Sequence, residues 1–316
     1  MWYISATSIR EILVSVNPIE VLLWIFRRKE SDVVNLYSAL SQVMQLATKG
    51  NMLNFGYWNE DTKNPLEAQN RLCRVIGEIA ELNSATKVLD VGSGFSAPAA
   101  EWKSAYNLLE IICVNTHFQQ LKRSINITDN GDEQFEAVDG KHKGGIFLVN
   151  STSTALPIED HSVDRVIALE SAHHFKPLNH FIKESKRVLK QNGLLVLAIP
   201  VTLVRPLLLF MKLGILSFTW SSEHYGLDYV ISTIKNEGLE ILETKRIGTH
   251  VYEPLTDYYV ENRKALREII LTQYPSHLEN ILFKSLLKMK KISADGIIDY
   301  LIIKCAREDS TKLPTT

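Results

Sequence analysis

Apolar positions along the chain change period several times, and each change marks an element. Residues 87–91 (KVLDV) set Val88, Leu89 and Val91 around a single carboxylate, Asp90. Short runs with so few polar positions belong to strands buried on both faces. Residues 108–114 (LLEIICV), 146–149 (IFLV), 164–169 (DRVIAL) and 194–199 (LLVLAI) read the same way, the last expected to stop at Pro200. Between them the period lengthens to that of a helix. Leu66, Leu72, Val75, Ile76 and Ile79 share one face of a helix opened by Pro65 and running to about residue 82. Residues 97–105, 116–127 and 179–189 are also helical, the last closed by Asn192-Gly193 as a C-cap pair. Strand and helix thus alternate from 87 to 200, which predicts an α/β fold built on a doubly wound parallel sheet. Further on, 225–236 and 253–291 read as helical, with a break at Pro275, and 239–247 and 300–306 as strands.

The flanks depart from that rhythm. Residues 1–50 read as a helical N-terminal extension, with Val33, Leu36, Leu40, Val43 and Leu46 on one face and Gly50 as a stop. The main domain is expected over 51–307, with insertions at about 201–225 and 253–291, and residues 308–316 as a disordered tail. Residues 128–145 are a polar surface loop. Residues 201–220 are strongly apolar but carry Arg205, Pro206, Lys212 and Gly214, so they read as a substrate-facing lid rather than a membrane span. Residues 51–59 form a loop in which Phe55, Tyr57 and Trp58 crowd around Gly56. Such aromatics either plug the edge of a core or fold over a flat ligand.

Composition narrows the function classes. A formal net charge of -1 argues against a nucleic-acid binder that relies on a general basic field and leaves only a local basic patch open. Cys73, Cys113 and Cys305 fall in no CxxC or Cys/His cluster, which points to a reducing, cytoplasmic setting and no structural metal. No secretory leader pattern opens the chain. Residues 18–26 (PIEVLLWIF) are far short of the roughly 20 needed to span a bilayer. Followed by Arg27, Arg28 and Lys29, they read either as a helix packed on its own domain or as one lying in a membrane interface. The oligomeric state is open.

The chemistry gathers where the first strand ends. Gly92, Ser93 and Gly94 break the strand into a turn that feeds a helix. Glycines there allow positive φ and close approach of a ligand, and the helix start offers free N–H groups. Turns of this kind at a strand's carboxyl end are where open parallel sheets bind nucleotides. Gly92-x-Gly94-x-x-Ala97 also satisfies the loose dinucleotide pattern, so a nicotinamide-dependent oxidoreductase is an alternative. Paired histidines, His173 and His174, follow the fourth strand and offer a general base or simply a pocket wall. His224 and His250 are weaker candidates for the same work.

Several of these stretches, in order, resemble class I S-adenosylmethionine-dependent methyltransferases over roughly residues 51–307. VLDVGSG at 88–94 looks like the family's first motif, and Cys113-Val114-Asn115-Thr116 like the end of its second strand, where a side chain meets the ribose. Ala155-Leu156-Pro157 with Ser162-Val163-Asp164 is similar to the "LPF…SFD" passage. ESAHHF at 170–175 is similar to "E-x-x-x-H", and Arg187-Val188-Leu189-Lys190 with Gly193 to "RVLKPGG". Residues 52–58 (MLNFGYW) resemble the "LNxGYW" opening of the branch that methylates quinones, sterols, tocopherols and related lipids. Three positions depart from the pattern: Ser96 replaces a third glycine, Asn115 the usual acid, and Thr152-Ser153 the Asp-Ala that meets adenine.

The resemblance implies a Rossmann-like, seven-stranded, mostly parallel sheet with helices on both faces and helical lid insertions. It implies S-adenosyl-L-methionine as cofactor, met by Tyr57, Trp58, Asp90, Gly92, Ser93, Gly94, Asn115, Thr116, Thr152, Ser153 and Glu170. His173 or His174 becomes the general base, and the methyl acceptor an apolar small molecule or lipid. Because a sulfonium has a good neutral leaving group, alignment supplies most of the catalysis and no triad is required. A non-catalytic binding protein on the same fold is the second alternative.

Overall fold

The computed structural model describes residue 46 and residues 50–128, 144–204 and 225–307. The expected N-terminal extension, most of the 128–145 loop, residues 205–220 of the apolar segment, His224 and the 308–316 tail lie outside the described residues.

Chain order is helix α1 (Pro65–Ile79), strand β1 (Lys87–Val91), α2 (Ala97–Ala105), β2 (Glu110–Asn115), α3 (Phe118–Thr128), β3 (Ile146–Asn150) and β4 (Val163–Leu169). Then come α4 (Leu178–Val188), β5 (Leu189–Thr202), α5 (Leu227–Asn236), β6 (Leu239–Arg246), α6 (Tyr252–Leu271), α7 (Ser276–Ala294) and β7 (Ile298–Arg307). The strands form one 7-stranded sheet in the order β3-β2-β1-β4-β5-β7-β6. All pairings are parallel except those of β7, which lies antiparallel between β5 and β6.

Alternation along each strand sends side chains to two separate cores. Val88, Val196 and Ala198 face Leu72, Ile76, Trp102 and Tyr252 from α1, α2 and α6. Leu89, Val91, Leu195 and Leu197 face Phe181, Ile182, Val230 and Ile234 from α4 and α5. Each such Val, Leu, Ile or Phe side chain contributes about 1.5–3 kcal/mol by leaving water, so both faces of the sheet are held. The start of α1 follows from local chemistry: Asn64 accepts from the Glu67 N–H at 3.0 Å, while Glu67 reaches back to the Lys63 N–H at 2.9 Å.

β5 differs from expectation at both ends. Helix α4 stops at Val188, and Asn192-Gly193 lies inside β5, at the register shift where pairing jumps from Val163–Leu189 to Arg165–Leu194. The pair therefore absorbs a strand irregularity rather than capping a helix. Nor does Pro200 stop the strand, which runs on to Thr202. The Ala198 carbonyl accepts from Glu170 on the β4 side, and Pro200 faces that same side beyond the end of β4, where no ladder donor is required.

Candidate functional site

Strand order reverses between β1 and β4, and this topological switch opens a crevice at their carboxyl ends. The glycine turn sits there. Gly92 (φ 76), Gly94 (φ 58) and Ser96 (φ 56) all take left-handed backbone, so Ser96 adopts the conformation a third glycine would have supplied. Gly92 is fixed by packing, because a Cβ there would stand 2.4 Å from the Ser171 Cβ. At Gly94 a Cβ would meet only Leu53 Cδ1 at 3.5 Å, so its side of the turn is the open one. The N–H groups of Gly92 and Ser93 both donate to the Val114 carbonyl, at 2.7 and 3.1 Å.

Asn115 shapes the turn from β2. Its amide donates to the Gly94 carbonyl at 3.0 Å and to Gln120 Oε1 at 2.9 Å, and its Oδ1 accepts from the His117 N–H at 3.3 Å. The side chain expected to face a ribose is thus engaged by the protein itself. Thr116 is exposed, and its carbonyl accepts from Asn150 at 3.0 Å. Thr152 Oγ1 pairs with Thr154 Oγ1 at 3.3 Å, and Ser153 is buried beside it. That loop is held by two of the sequence motifs acting on each other: Arg187 donates to the Leu156 and Ile158 carbonyls at 2.9 and 2.7 Å, and Glu184 accepts from the Leu156 N–H.

Two carboxyls flank the crevice, Asp90 buried and Glu170 half-buried. Asp90, 2 % exposed, is pushed by burial up to about 7, and its Oδ2 meets no hydrogen-bond donor among the described residues. Glu170, at the end of β4 with φ 51, is pushed by burial up to about 8, against the opposing pull of bonds from the Phe55 N–H and the Tyr300 hydroxyl, each 2.9 Å. Ser171 Oγ donates to the Val91 carbonyl at 2.6 Å and joins the ends of β1 and β4. Next come His173 and His174, ring centroids 3.9 Å apart. Burial first, and Lys176 second, hold the His174 conjugate acid down to about 3, so this ring stays neutral and is a poor proton acceptor near pH 7. His173 is 4 % exposed.

The structure brings Asp90, Gly92, Ser93, Gly94, Asn115, Glu170, His173 and His174 to one edge of the sheet. It does not bring the rings of Tyr57 and Trp58 there. Trp58 is 5 % exposed, packed against Tyr258, with Nε1 donating to the Phe55 carbonyl at 3.4 Å. Tyr57 stacks on His250 at 4.8 Å and lines a groove of about 410 Å³ with Glu78, Glu81, Lys245 and Lys304, away from the turn. His250 itself accepts and donates within the 52–58 segment: its carbonyl accepts from the Trp58 N–H at 2.8 Å, and its Nδ1 contacts the Trp58 carbonyl at 3.1 Å. Gln69, Ser171 and Tyr300 escape sequence reasoning because each is a lone polar residue whose partner is remote in sequence. Among the described residues no cluster of His, Cys, Asp or Glu is arranged to hold a metal ion, and no helix is long and apolar enough to cross a membrane.

Residues 89–197 match the sequence family described as a methyltransferase domain. The chain is 26% identical over 247 residues to the erythromycin 3''-O-methyltransferase of Saccharopolyspora erythraea, covering 75% of this chain and 78% of that one. Against the 27-O-demethylrifamycin SV methyltransferase of Amycolatopsis mediterranei it is 29% identical over 149 residues, 47% of this chain and 51% of the relative. The mycolic acid cyclopropane synthase CmaA1, crystallised with S-adenosylhomocysteine, shares the fold with a TM-score of 0.69 at 16% identity, over 84% of this chain and 94% of that one.

Proposed function

We propose that this chain, a class I S-adenosylmethionine-dependent methyltransferase by its fold and its methyltransferase domain, moves the sulfonium methyl to a hydroxyl oxygen of an apolar small molecule. One observation supports the cofactor's place most directly. Asp90 Oδ2 is a buried carboxylate oxygen with no donor among the described residues, at the switch point and beside the open Gly94. A buried carboxyl oxygen without a donor destabilises the charged form, and a cationic ligand with N–H groups would supply what it lacks. Asp90, the Ser93 hydroxyl and the Gly94 backbone are the groups that would hold the cofactor. When bound, it supplies an electrophilic methyl carbon on a neutral leaving group.

The chain's own work is then to align the acceptor and take up its proton. His173 is assigned the base. His174, kept neutral, packs against it and fixes its plane. Thr116, Thr152 and Ser153 border the crevice on the β2–β3 side and are assigned adenosine contacts through hydroxyl and backbone. An oxygen acceptor is supported by the relative named as an erythromycin 3''-O-methyltransferase and by the one named for 27-O-demethylrifamycin SV. The apolar sequences 18–26 and 201–220 support an apolar acceptor and a peripheral contact with membrane lipid. The oxidoreductase alternative loses its footing, because β2 ends in an asparagine whose amide is engaged by Gly94 and Gln120.

Isothermal titration with S-adenosylmethionine is the direct test; no heat at millimolar cofactor overturns the assignment. Labelled cofactor incubated with hydroxyl-bearing small molecules and with a lipid extract then identifies the acceptor. Sedimentation with anionic and neutral liposomes tests the membrane contact.

A further inference from the structure

Residues 52–58 have no regular secondary structure, yet Met52, Asn54 and Trp58 are buried. Their backbone is pinned in several places. Gln69 Nε2 donates to the carbonyls of Met52 and Asn54, at 3.3 and 2.7 Å. The Tyr57 N–H donates to the Ala68 carbonyl and the Trp58 N–H to that of His250, both at 2.8 Å. Gly56 permits this approach to α1, because a Cβ there would stand 2.5 Å from the Ala68 Cβ. These contacts all tie the segment to α1 or to the turn after β6. The bond from the Phe55 N–H to Glu170 Oε1 is different: it reaches the carboxyl edge of the sheet, where the glycine turn lies. Leu53, two residues earlier, is the side chain that approaches Gly94.

Glu170 is an unusual residue to find there. It combines a half-buried, desolvated carboxyl with left-handed backbone, although β4 is already paired through Leu169–Ala198 and closed by the bond from the Glu170 N–H to the Ala198 carbonyl. Two unfavourable features at one residue, neither needed by the sheet, mark a site where function depends on the arrangement. Oε1 is engaged by two protein donors, Phe55 N–H and Tyr300 hydroxyl. We infer that Glu170 is a positioning residue, which straps residues 52–58 down over the glycine turn through Phe55 and so slows release of the cofactor without being part of its binding shell. Tyr300, from β7, holds the carboxyl in place. The inference rests on the cofactor reading above.

Amide hydrogen exchange on the full chain without cofactor tests the strap itself. Glu170→Ala is expected to speed exchange across 53–57 at least about tenfold, with β1 and β4 unchanged. Tyr300→Phe, which keeps the Phe55 bond, is expected to do so less. Glu170→Gln is expected to restore protection, because an amide oxygen accepts both bonds. Stopped-flow release of S-adenosylmethionine is expected to follow the same order, with Glu170→Ala about tenfold faster than the parent. Unchanged exchange at 53–57 in both Glu170→Ala and Tyr300→Phe overturns the strap. A Glu170→Gln variant with a protected strap but cofactor binding as weak as in Glu170→Ala overturns it too, because the carboxylate would then be touching the ligand. A loosened strap in Glu170→Ala, beside a parent protein that binds no S-adenosylmethionine, refutes the cofactor reading and with it the effect on release.

Discussion

The two ends of the β1–β4 pair carry the same kind of group in opposite states. At the amino end, Asp164 Oδ2 accepts from the Thr86 N–H and hydroxyl at 3.0 and 2.7 Å and from the Lys87 N–H at 2.8 Å, while Oδ1 meets Lys190 Nζ at 2.8 Å. Desolvation pushes its pKa up, but the bonds from Lys190, Thr86 and Lys87 outweigh it and hold the carboxyl down to about 2. At the carboxyl end, Asp90 is driven up to about 7 by burial with nothing to oppose it. Asp164 closes the bottom of the sheet and is complete without a ligand. Asp90 Oδ2 meets no donor among the described residues, and a cationic ligand bound there, as proposed, would supply one.

The comparison can be broken or sharpened by experiment, beginning with the largest effect. Asp164→Ala is expected to cost about 3 kcal/mol of stability, since it orphans several donors at once, while cofactor affinity of the folded protein is unchanged. Chemical denaturation checks the first and calorimetric titration the second; a loss of affinity with intact stability would reverse the roles of the two ends. Gly92→Ala is expected to cost roughly 2–3 kcal/mol, because its Cβ would meet Ser171 at 2.4 Å in left-handed backbone. Gly94→Ala meets only Leu53 at 3.5 Å, so it costs about 1 kcal/mol of stability but weakens cofactor binding at least about tenfold. Equal affinities in the two glycine variants would deny Gly94 its open side.

Asp90→Asn at pH 8 is expected to leave the cofactor-free protein as stable or about 1 kcal/mol more so, and to weaken cofactor binding about tenfold. Marked destabilisation would make Asp90 a second Asp164. The smallest effect is a proton. Asp90 has its folded pKa, about 7, above the ordinary 3.8, so its stabilising contribution is full below 3.8 and lost as pH rises through 7. Glu170 adds the same sign up to about 8. The melting temperature of the cofactor-free protein should therefore drift down across that window. A cation bound at Asp90 favours the carboxylate, so binding at pH 6.5 should release a fraction of a proton, read as different heats in buffers of different ionisation enthalpy. Asp90→Asn should abolish the difference.

Much of the fold was legible in the sequence because burial on both faces leaves so plain a record. The runs at 87–91, 164–169 and 194–199 admit few polar residues, since each strand is covered by α1, α2, α6 and α7 on one side and α4 and α5 on the other. The ends of β5 were not legible. Asn192-Gly193 and Pro200 are local stop signals, and they were overridden by a register shift and by a neighbouring strand that had already ended. The site divides in the same way. Gly92, Gly94 and Asp90 stand out in the sequence as candidates because they belong to one short stretch.

The sequence by itself therefore determined the alternation of strand and helix and the place of the turn. Those properties depend on periodicity and on residues adjacent in the chain. Only the tertiary structure decided that Trp58 is a core residue, that Asn115 braces the turn, that His174 stays neutral, and that Glu170 reaches Phe55 and Tyr300. Each of those outcomes turns on desolvation or on a hydrogen-bond partner, and both are set by which remote segments the fold brings within 3 Å or so of one another.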